Sequence, residues 1–208
     1  MAISSLPADD LAPESGPLGD GFSERELIVA VVGSARLSPP DPRCVVAEKM
    51  GAAIAAEGWT VMTGGYGGLM EVTSRAAAEA GGNVIGLPMR NWRDPVPNEW
   101  NTELRWSTSY TERLTHLLGA DAVVVLDGGI GTLSEASAVW ATLQTEAEAA
   151  DLIFLGSGWQ PVLSSIAAHL VIDERDLAYV AVYEDPGQVI EHIKQVGFRP
   201  WRTAGPLG

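Results

Sequence analysis

The chain has 208 residues, 46% of them hydrophobic, enough for one substantial core and more in keeping with one α/β domain than two. A formal net charge of −14 argues against sequence-independent nucleic-acid binding, yet small anions remain compatible, because local dipoles outweigh a distant net charge. The single cysteine, Cys44, excludes an intrachain disulfide and a cysteine-rich metal site and fits the cytoplasm, and no apolar run approaches membrane-spanning length.

In chain order, residues 1–22 combine Pro7, Pro13, Pro17, Gly16, Gly19 and Gly21 with several acids and read as a flexible tail. Met1 to Gly21 has neither the basic start nor the apolar core of a signal peptide. A single domain is expected over 23–198, with a short tail over 199–208. Leu27 begins an apolar run ending at Gly33-Ser34, as a strand buried on both faces of a parallel sheet would. Asp41 to Glu57 reads as a helix, Trp59 to Thr63 as a strand, Leu69 to Ala80 as an alanine-rich helix and Asn83 to Leu87 as a strand. The segment Pro88 to Trp106, with Pro95, Pro97 and three tryptophans, is long for a structureless connection and therefore a functional candidate. Beyond it come a helix (Tyr110–Leu118), a strand (Ala122–Leu126), a helix (Thr132–Glu146), a strand (Leu152–Leu155), a helix (Gln160–Leu170), a strand (Tyr179–Val182) and a helix (Pro186–Val196). This alternation predicts a doubly wound, mainly parallel sheet.

Two glycine clusters end strands and open helices: Gly64-Gly65-Tyr66-Gly67-Gly68 and Gly128-Gly129-Ile130-Gly131-Thr132. Glycines allow close backbone approach, and free helix N-terminal amides attract an anion, so both clusters point to a phosphate-bearing ligand at the carboxyl ends of the strands. Neither is a dinucleotide fingerprint, and no Lys-Ser or Lys-Thr follows a glycine run, so NAD binding and ATP hydrolysis lack support. Thr132 and Glu135 place a hydroxyl and a carboxylate beside the second cluster; the same spacing is also a helix capping box. Trp92, Trp100 and Trp106 could stack a nucleobase or equally close the core or a dimer contact, whereas Trp59, Trp140 and Trp159 read as packing residues. His116, His169 and His192 lack acidic partners at ligand spacing, so no metal is expected.

The stretch Asp127-Gly-Gly-Ile-Gly-Thr-Leu-Ser-Glu135 resembles the Pro-Gly-Gly-x-Gly-Thr-x-x-Glu signature of the lonely guy (LOG) family, and Gly64-Gly-Tyr-Gly-Gly-Leu-Met-Glu71 resembles its other glycine motif. The resemblance runs from about Ile28 to Lys194, including Gly33-Ser34, Gly82-Asn-Val-Ile-Gly-Leu-Pro88 and Glu112-Arg113. It implies a Rossmann-like fold and a phosphoribohydrolase that cleaves nucleoside 5′-monophosphates, cytokinin ribotides among them, to free base and ribose 5-phosphate. It further implies a homodimer and no cofactor. The family's catalytic arginine and glutamate fall on Arg113 and Glu135. Gly128, Gly129, Gly131 and Thr132 would then hold the 5′-phosphate, with Ser34 and Gly65 lining the phosphate or ribose side. Trp92 is a candidate base-stacking residue. Two positions depart from the pattern: Asp127 replaces the signature proline, where its charge opposes a bound phosphate unless the side chain turns away and where it is a candidate second carboxylate or selectivity element, and Leu114 replaces the lysine that follows the arginine. Many relatives carry a lysine decarboxylase label, but the only lysines, Lys49 and Lys194, lie away from the glycine clusters, so a Schiff base there lacks support. Three classes stay open: a nucleotide hydrolase; a non-catalytic carrier of a nucleotide or of molybdenum cofactor; and an interaction protein. DNA binding, as in the related DNA-processing protein A group, is disfavoured by the charge.

Overall fold

The computed structural model describes residues 27–92, 96–146 and 149–196. Their elements are β1 (Ile28–Val32), α1 (Arg43–Ala56), β2 (Thr60–Thr63), α2 (Leu69–Glu79), β3 (Val84–Gly86), β4 (Glu103–Leu104), α3 (Tyr110–Leu118), β5 (Ala122–Val125), α4 (Ile130–Leu143), β6 (Asp151–Leu155), α5 (Trp159–His169), α6 (Glu174–Leu177), β7 (Val180–Tyr183) and α7 (Pro186–Val196). The strands form one seven-stranded sheet in the order β4-β3-β2-β1-β5-β6-β7, every pair parallel. This is the doubly wound, Rossmann-like architecture that the alternation predicts.

Two-sided burial explains the apolar strand runs. Val29 and Val31 point into one layer with Met50 and Ile54 of α1, Leu69 and Val72 of α2, and Val189 and Ile193 of α7. Ala30 and Val32 point into the other, with Leu117 of α3, Val139 of α4, and Trp159 and Leu163 of α5. In register across the sheet, Ala30 faces Val123 and Val32 faces Val125. Every such side chain is removed from water, at about 1.5–3 kcal/mol for a Val, Leu or Ile, so a charge at Val123 or Val124, both 0% exposed, would disrupt the sheet.

From β1 the chain winds outward to β4, then crosses back through α3 to place β5 on the other side of β1. The reversal opens a crevice beyond the carboxyl ends of β1 and β5, where ligands bind in such sheets. Both loops that border it carry glycines: Gly33 after β1, and Gly128 and Gly129 after β5.

Three expectations need correction or placing. The segment 88–106 is not structureless: Glu103 and Leu104 add a seventh strand, in register with Ile85 and Gly86, and Met89 bridges Ser107. Helix α4 begins at Ile130 rather than Thr132, because Gly129 is its N-cap, and α6 is an additional short helix closed by an Asp173–Asp176 capping box. The tails over 1–22 and 199–208 lie outside the described residues. No helix among the described residues is long and apolar enough to cross a membrane.

Candidate functional site

The crevice is built first by backbone. Beyond β5, Leu126 N donates to Val32 O at 2.9 Å, and Ser34 N donates to Asp127 O at 3.0 Å, so the β1 and β5 loops are joined at the switch point. A side chain at Gly128 would collide with the Thr132 side chain, which folds back over the turn and is 4% exposed. Gly129 is extended (φ −105°, ψ −154°) and no side chain caps the helix, so the amides of Ile130, Gly131 and Thr132 point out of α4 without intrahelical partners. The Thr132 hydroxyl makes no hydrogen bond among the described residues. Helix α3, by contrast, is capped by Ser109, whose hydroxyl accepts from Glu112 N at 3.1 Å. The start of α4 therefore presents free donors and the positive end of its dipole to the crevice.

One turn into α4, Glu135 meets Arg113 of α3. Arg113 Nη1 donates to Glu135 Oε1 at 2.5 Å, with the side chains only 8% and 11% exposed, and Arg113 Nε donates to the Leu87 carbonyl at 2.9 Å beyond β3. The guanidinium thus bridges the two halves of the sheet. Because α4 starts at Ile130, Thr132 lies within its first turn and Thr132–Glu135 is not a capping box; the carboxylate faces Arg113 instead of the helix start. Beside Arg113, Glu112 accepts from both the amide and the hydroxyl of Thr108, each at 2.7 Å. Those bonds, the amide first, hold its carboxyl below the usual range.

Trp92 lies against Arg113. Its ring centroid is 5.9 Å from the Arg113 guanidinium carbon and 5.5 Å from the Tyr66 ring, stacked at 23°, and the residue is 46% exposed. Trp106 stands under Arg90 at 5.4 Å, while Trp100 is half-buried. Of the packing tryptophans, Trp159 is buried and Trp140 ties α4 to α6 by donating to the Asp176 carbonyl at 2.8 Å.

In the first glycine cluster, Gly65 and Tyr66 are bonded to the protein itself. Gly65, at φ +80° and with its Cβ position 3.1 Å from Gly86 Cα, donates its amide to the Thr63 hydroxyl and accepts from Asn98 N at 2.8 Å and Asn101 Nδ2 at 3.1 Å. Asn98 Nδ2 also donates to Tyr66 O, and Met89 N to the Tyr66 hydroxyl. Tyr66, Asn98 and Asn101 therefore fix the crevice wall, and sequence reasoning missed all three. The available signal was Asn98-Glu-Trp-Asn101 just after two prolines, a polar turn with side chains able to bond backbone. Ser34 spends its hydroxyl on Arg36 N at 3.1 Å and its carbonyl on Leu69 N at 2.9 Å, which anchors the start of α2.

With the geometry in place, comparison with known proteins decides the family. Residues 26–147 match the SLOG cluster4 family. The chain belongs to that family. It is 33% identical over 98 residues to a Mycobacterium tuberculosis protein named cytokinin riboside 5′-monophosphate phosphoribohydrolase, covering 46% of this chain and 52% of that one. A Mycobacterium marinum protein of the same name is 34% identical over 107 residues, covering 50% and 57%. The chain spans little more than half the length of these two relatives. Among solved structures, the molybdenum cofactor binding protein of Rippkaea orientalis superposes with a TM-score of 0.68 at 24% identity, covering 84% of this chain and 99% of that one, a likeness of fold.

Within this SLOG cluster4 chain the two departures from the LOG pattern have physical explanations. Leu114 packs against the core layer shared by α3 and α4, where a lysine ammonium would be desolvated. The Asp127 carboxylate lies beside Gly156 and Gly158, 3.2 and 3.5 Å from their Cβ positions, and so turns toward the start of α5. Arg43 forks onto Asp41 at 2.7 and 2.9 Å, which raises its pKa, and the Asp127 charge adds a smaller push in the same direction. That pair lowers the Asp41 carboxyl to about 2. Among the described residues no three His, Cys, Asp or Glu side chains group as a metal site.

Proposed function

We propose that this chain hydrolyses the N-glycosidic bond of a nucleoside 5′-monophosphate. Water adds to C1′ and the base departs with a proton, leaving ribose 5-phosphate. The observation that carries the reading is the buried Arg113–Glu135 pair standing one turn from an uncapped, glycine-rich helix start at the switch point. In this reading the amides of Gly129, Ile130, Gly131 and Thr132 and the Thr132 hydroxyl hold the 5′-phosphate, and Gly128 shapes the turn around them. Phosphate capture away from the reacting carbon positions the ribose against Glu135. The Glu135 oxygen not bonded to Arg113 faces the positive charge that develops at C1′ or orients the attacking water. Arg113 fixes that carboxylate. Ser34 and Gly65 act through backbone that shapes the wall, Trp92 offers an exposed ring to the base, and Asp127 selects at the α5 side. No step uses a metal or an organic cofactor.

The same mouth exposes Trp92, Trp106 and Tyr110 at 46%, 37% and 37%, and Ile130 at 83%. Large apolar groups beside a site favour cover by a second copy, so we propose a homodimer, checked by light scattering, with a monomer at micromolar concentration contradicting it. A carrier is the second reading, favoured by the fold shared with a molybdenum cofactor binding protein. A panel of nucleoside 5′-monophosphates and matching nucleosides, followed for free base, separates them. Base released from the phosphorylated series supports hydrolysis, whereas nucleotide bound and recovered intact supports the carrier.

A further inference from the structure

The segment between β3 and α3 carries a guanidinium with no part in phosphate capture or hydrolysis. Arg90 is exposed, and its guanidinium carbon lies 5.4 Å from the centroid of the Trp106 ring. Stacking of this kind occupies the flat face and leaves the in-plane N–H donors of the fork free. No carboxylate among the described residues pairs with it: Glu103 is held by Arg105 at 2.6 Å and Glu112 by Thr108 at 2.7 Å. Its neighbours place it at the crevice. Leu87, three residues earlier, accepts from Arg113 Nε at 2.9 Å, and Trp92, two residues later, lies against the Arg113 guanidinium. Arg90 is thus bracketed by two residues that touch Arg113, and three residues of chain span at most about 10–11 Å. It stands on the β3 side, and β3 and β5 are three strand spacings apart, about 14 Å. A nucleotide whose phosphate sits beyond β5, at the start of α4, therefore presents its base to Arg90 and not its phosphate.

Resting on the nucleotide reading of this crevice, we infer that its preferred ligands are nucleoside 5′-monophosphates whose base carries a carboxylate, held bidentate by the Arg90 fork. A guanidinium already held flat against an indole gives up little freedom when it grips a carboxylate, whose two oxygens match it in geometry and charge. A base without a carboxylate leaves that charge unanswered. The carboxylate is a handle and not a reacting group: the C1′–N bond breaks as proposed above, and the base leaves with its carboxylate intact.

The test is calorimetric titration of the full chain with two pairs of nucleotides that differ at the carboxylate: orotidine against uridine 5′-monophosphate, and nicotinate against nicotinamide mononucleotide. Base release is followed in parallel. In at least one pair the acid should bind about tenfold tighter than its carboxylate-free partner, the low end for hydrogen bonds to a charged group, and the preference should shrink as salt is added. Arg90→Gln, at an exposed position, should bring the acid down to its partner's affinity. Arg90→Lys, which keeps the charge without the fork, should restore only part of the preference. Equal affinity within both pairs, or an Arg90→Gln loss shared equally by acid and partner, would overturn the inference, and base release would then show the hydrolase reading still standing. An Arg90-dependent preference for the acid with no base released would uphold the inference and replace hydrolysis by the carrier. Failure of every nucleotide to bind would overturn both.

Discussion

The three glycines at the start of α4 should respond differently to the same methyl group, and the difference isolates what the turn is for. A Cβ on Gly129 or Gly131 meets nothing within 4 Å, whereas a Cβ on Gly128 strikes the buried Thr132 side chain. Gly131→Ala places a better helix former inside α4, a gain of up to about 1 kcal/mol, which for a domain of this size raises the Tm by about 2–4 °C. Gly128→Ala overpacks the turn and should cost about 1–3 kcal/mol. If the open space above Gly129 and Gly131 is where a phosphate sits, a methyl there costs a charge-assisted hydrogen bond, about 1.5–3 kcal/mol, or about 10- to 150-fold in affinity. Thermal melts and calorimetric titration with AMP measure the two effects separately. The expected result for Gly131→Ala is a Tm at or above wild type with sharply weakened AMP binding. A stabilised Gly131→Ala protein that binds AMP within about twofold of wild type would refute the placing of an anion at this turn.

Other outcomes follow from the same geometry. Gly65→Ala forces a side chain into φ +80° against Gly86 and should destabilise by more than about 1 kcal/mol in denaturant unfolding. Trp92→Ala should leave the Tm within a few degrees, since the ring is half exposed, but weaken purine monophosphates more than ribose 5-phosphate in competition binding. Equal losses for both would remove Trp92 from the base site. Because bonds from Thr108 depress the Glu112 pKa in the folded state, its contribution is present above the unfolded carboxylate pKa and lost as pH falls through the lower folded value. Glu112→Gln should therefore lower the Tm at pH 7 and narrow its gap to wild type as the pH falls below about 4. A gap independent of pH would assign Glu112 a purely steric role.

How much of this was legible beforehand depends on how local each signal is. The doubly wound sheet follows from two-sided apolar strands such as Leu27–Val32 alternating with helical patterns, a signal repeated along the chain. Strand β4 was not visible, because Glu103 and Leu104 are both exposed, and two residues carry no period; pairing with β3 creates the strand. Glu135 stood out beside the second glycine cluster, but its partner Arg113 was legible only through family resemblance, since their 2.5 Å contact depends on how α3 crosses back over the sheet. The surroundings of Gly65 were hidden for a related reason. Its glycine context says that backbone comes close, but Asn98 and Asn101, more than 30 residues on, decide that the approaching group is protein. Asp127 reads in sequence as a charge opposing a phosphate, and only the β6–α5 turn reveals where its carboxylate goes.

The central claim is that Glu135 acts on the reacting ribose rather than merely completing a buried ion pair. The measurement is the rate of base release from AMP by Glu135→Gln, taken beside its Tm and its affinity for AMP. Glutamine keeps an acceptor oxygen for Arg113, so the fold and ground-state binding should be largely retained, while turnover should fall by about 10²- to 10³-fold, as for loss of one electrostatic stabiliser. A variant that melts normally, binds AMP normally and still releases base at the wild-type rate would contradict the account.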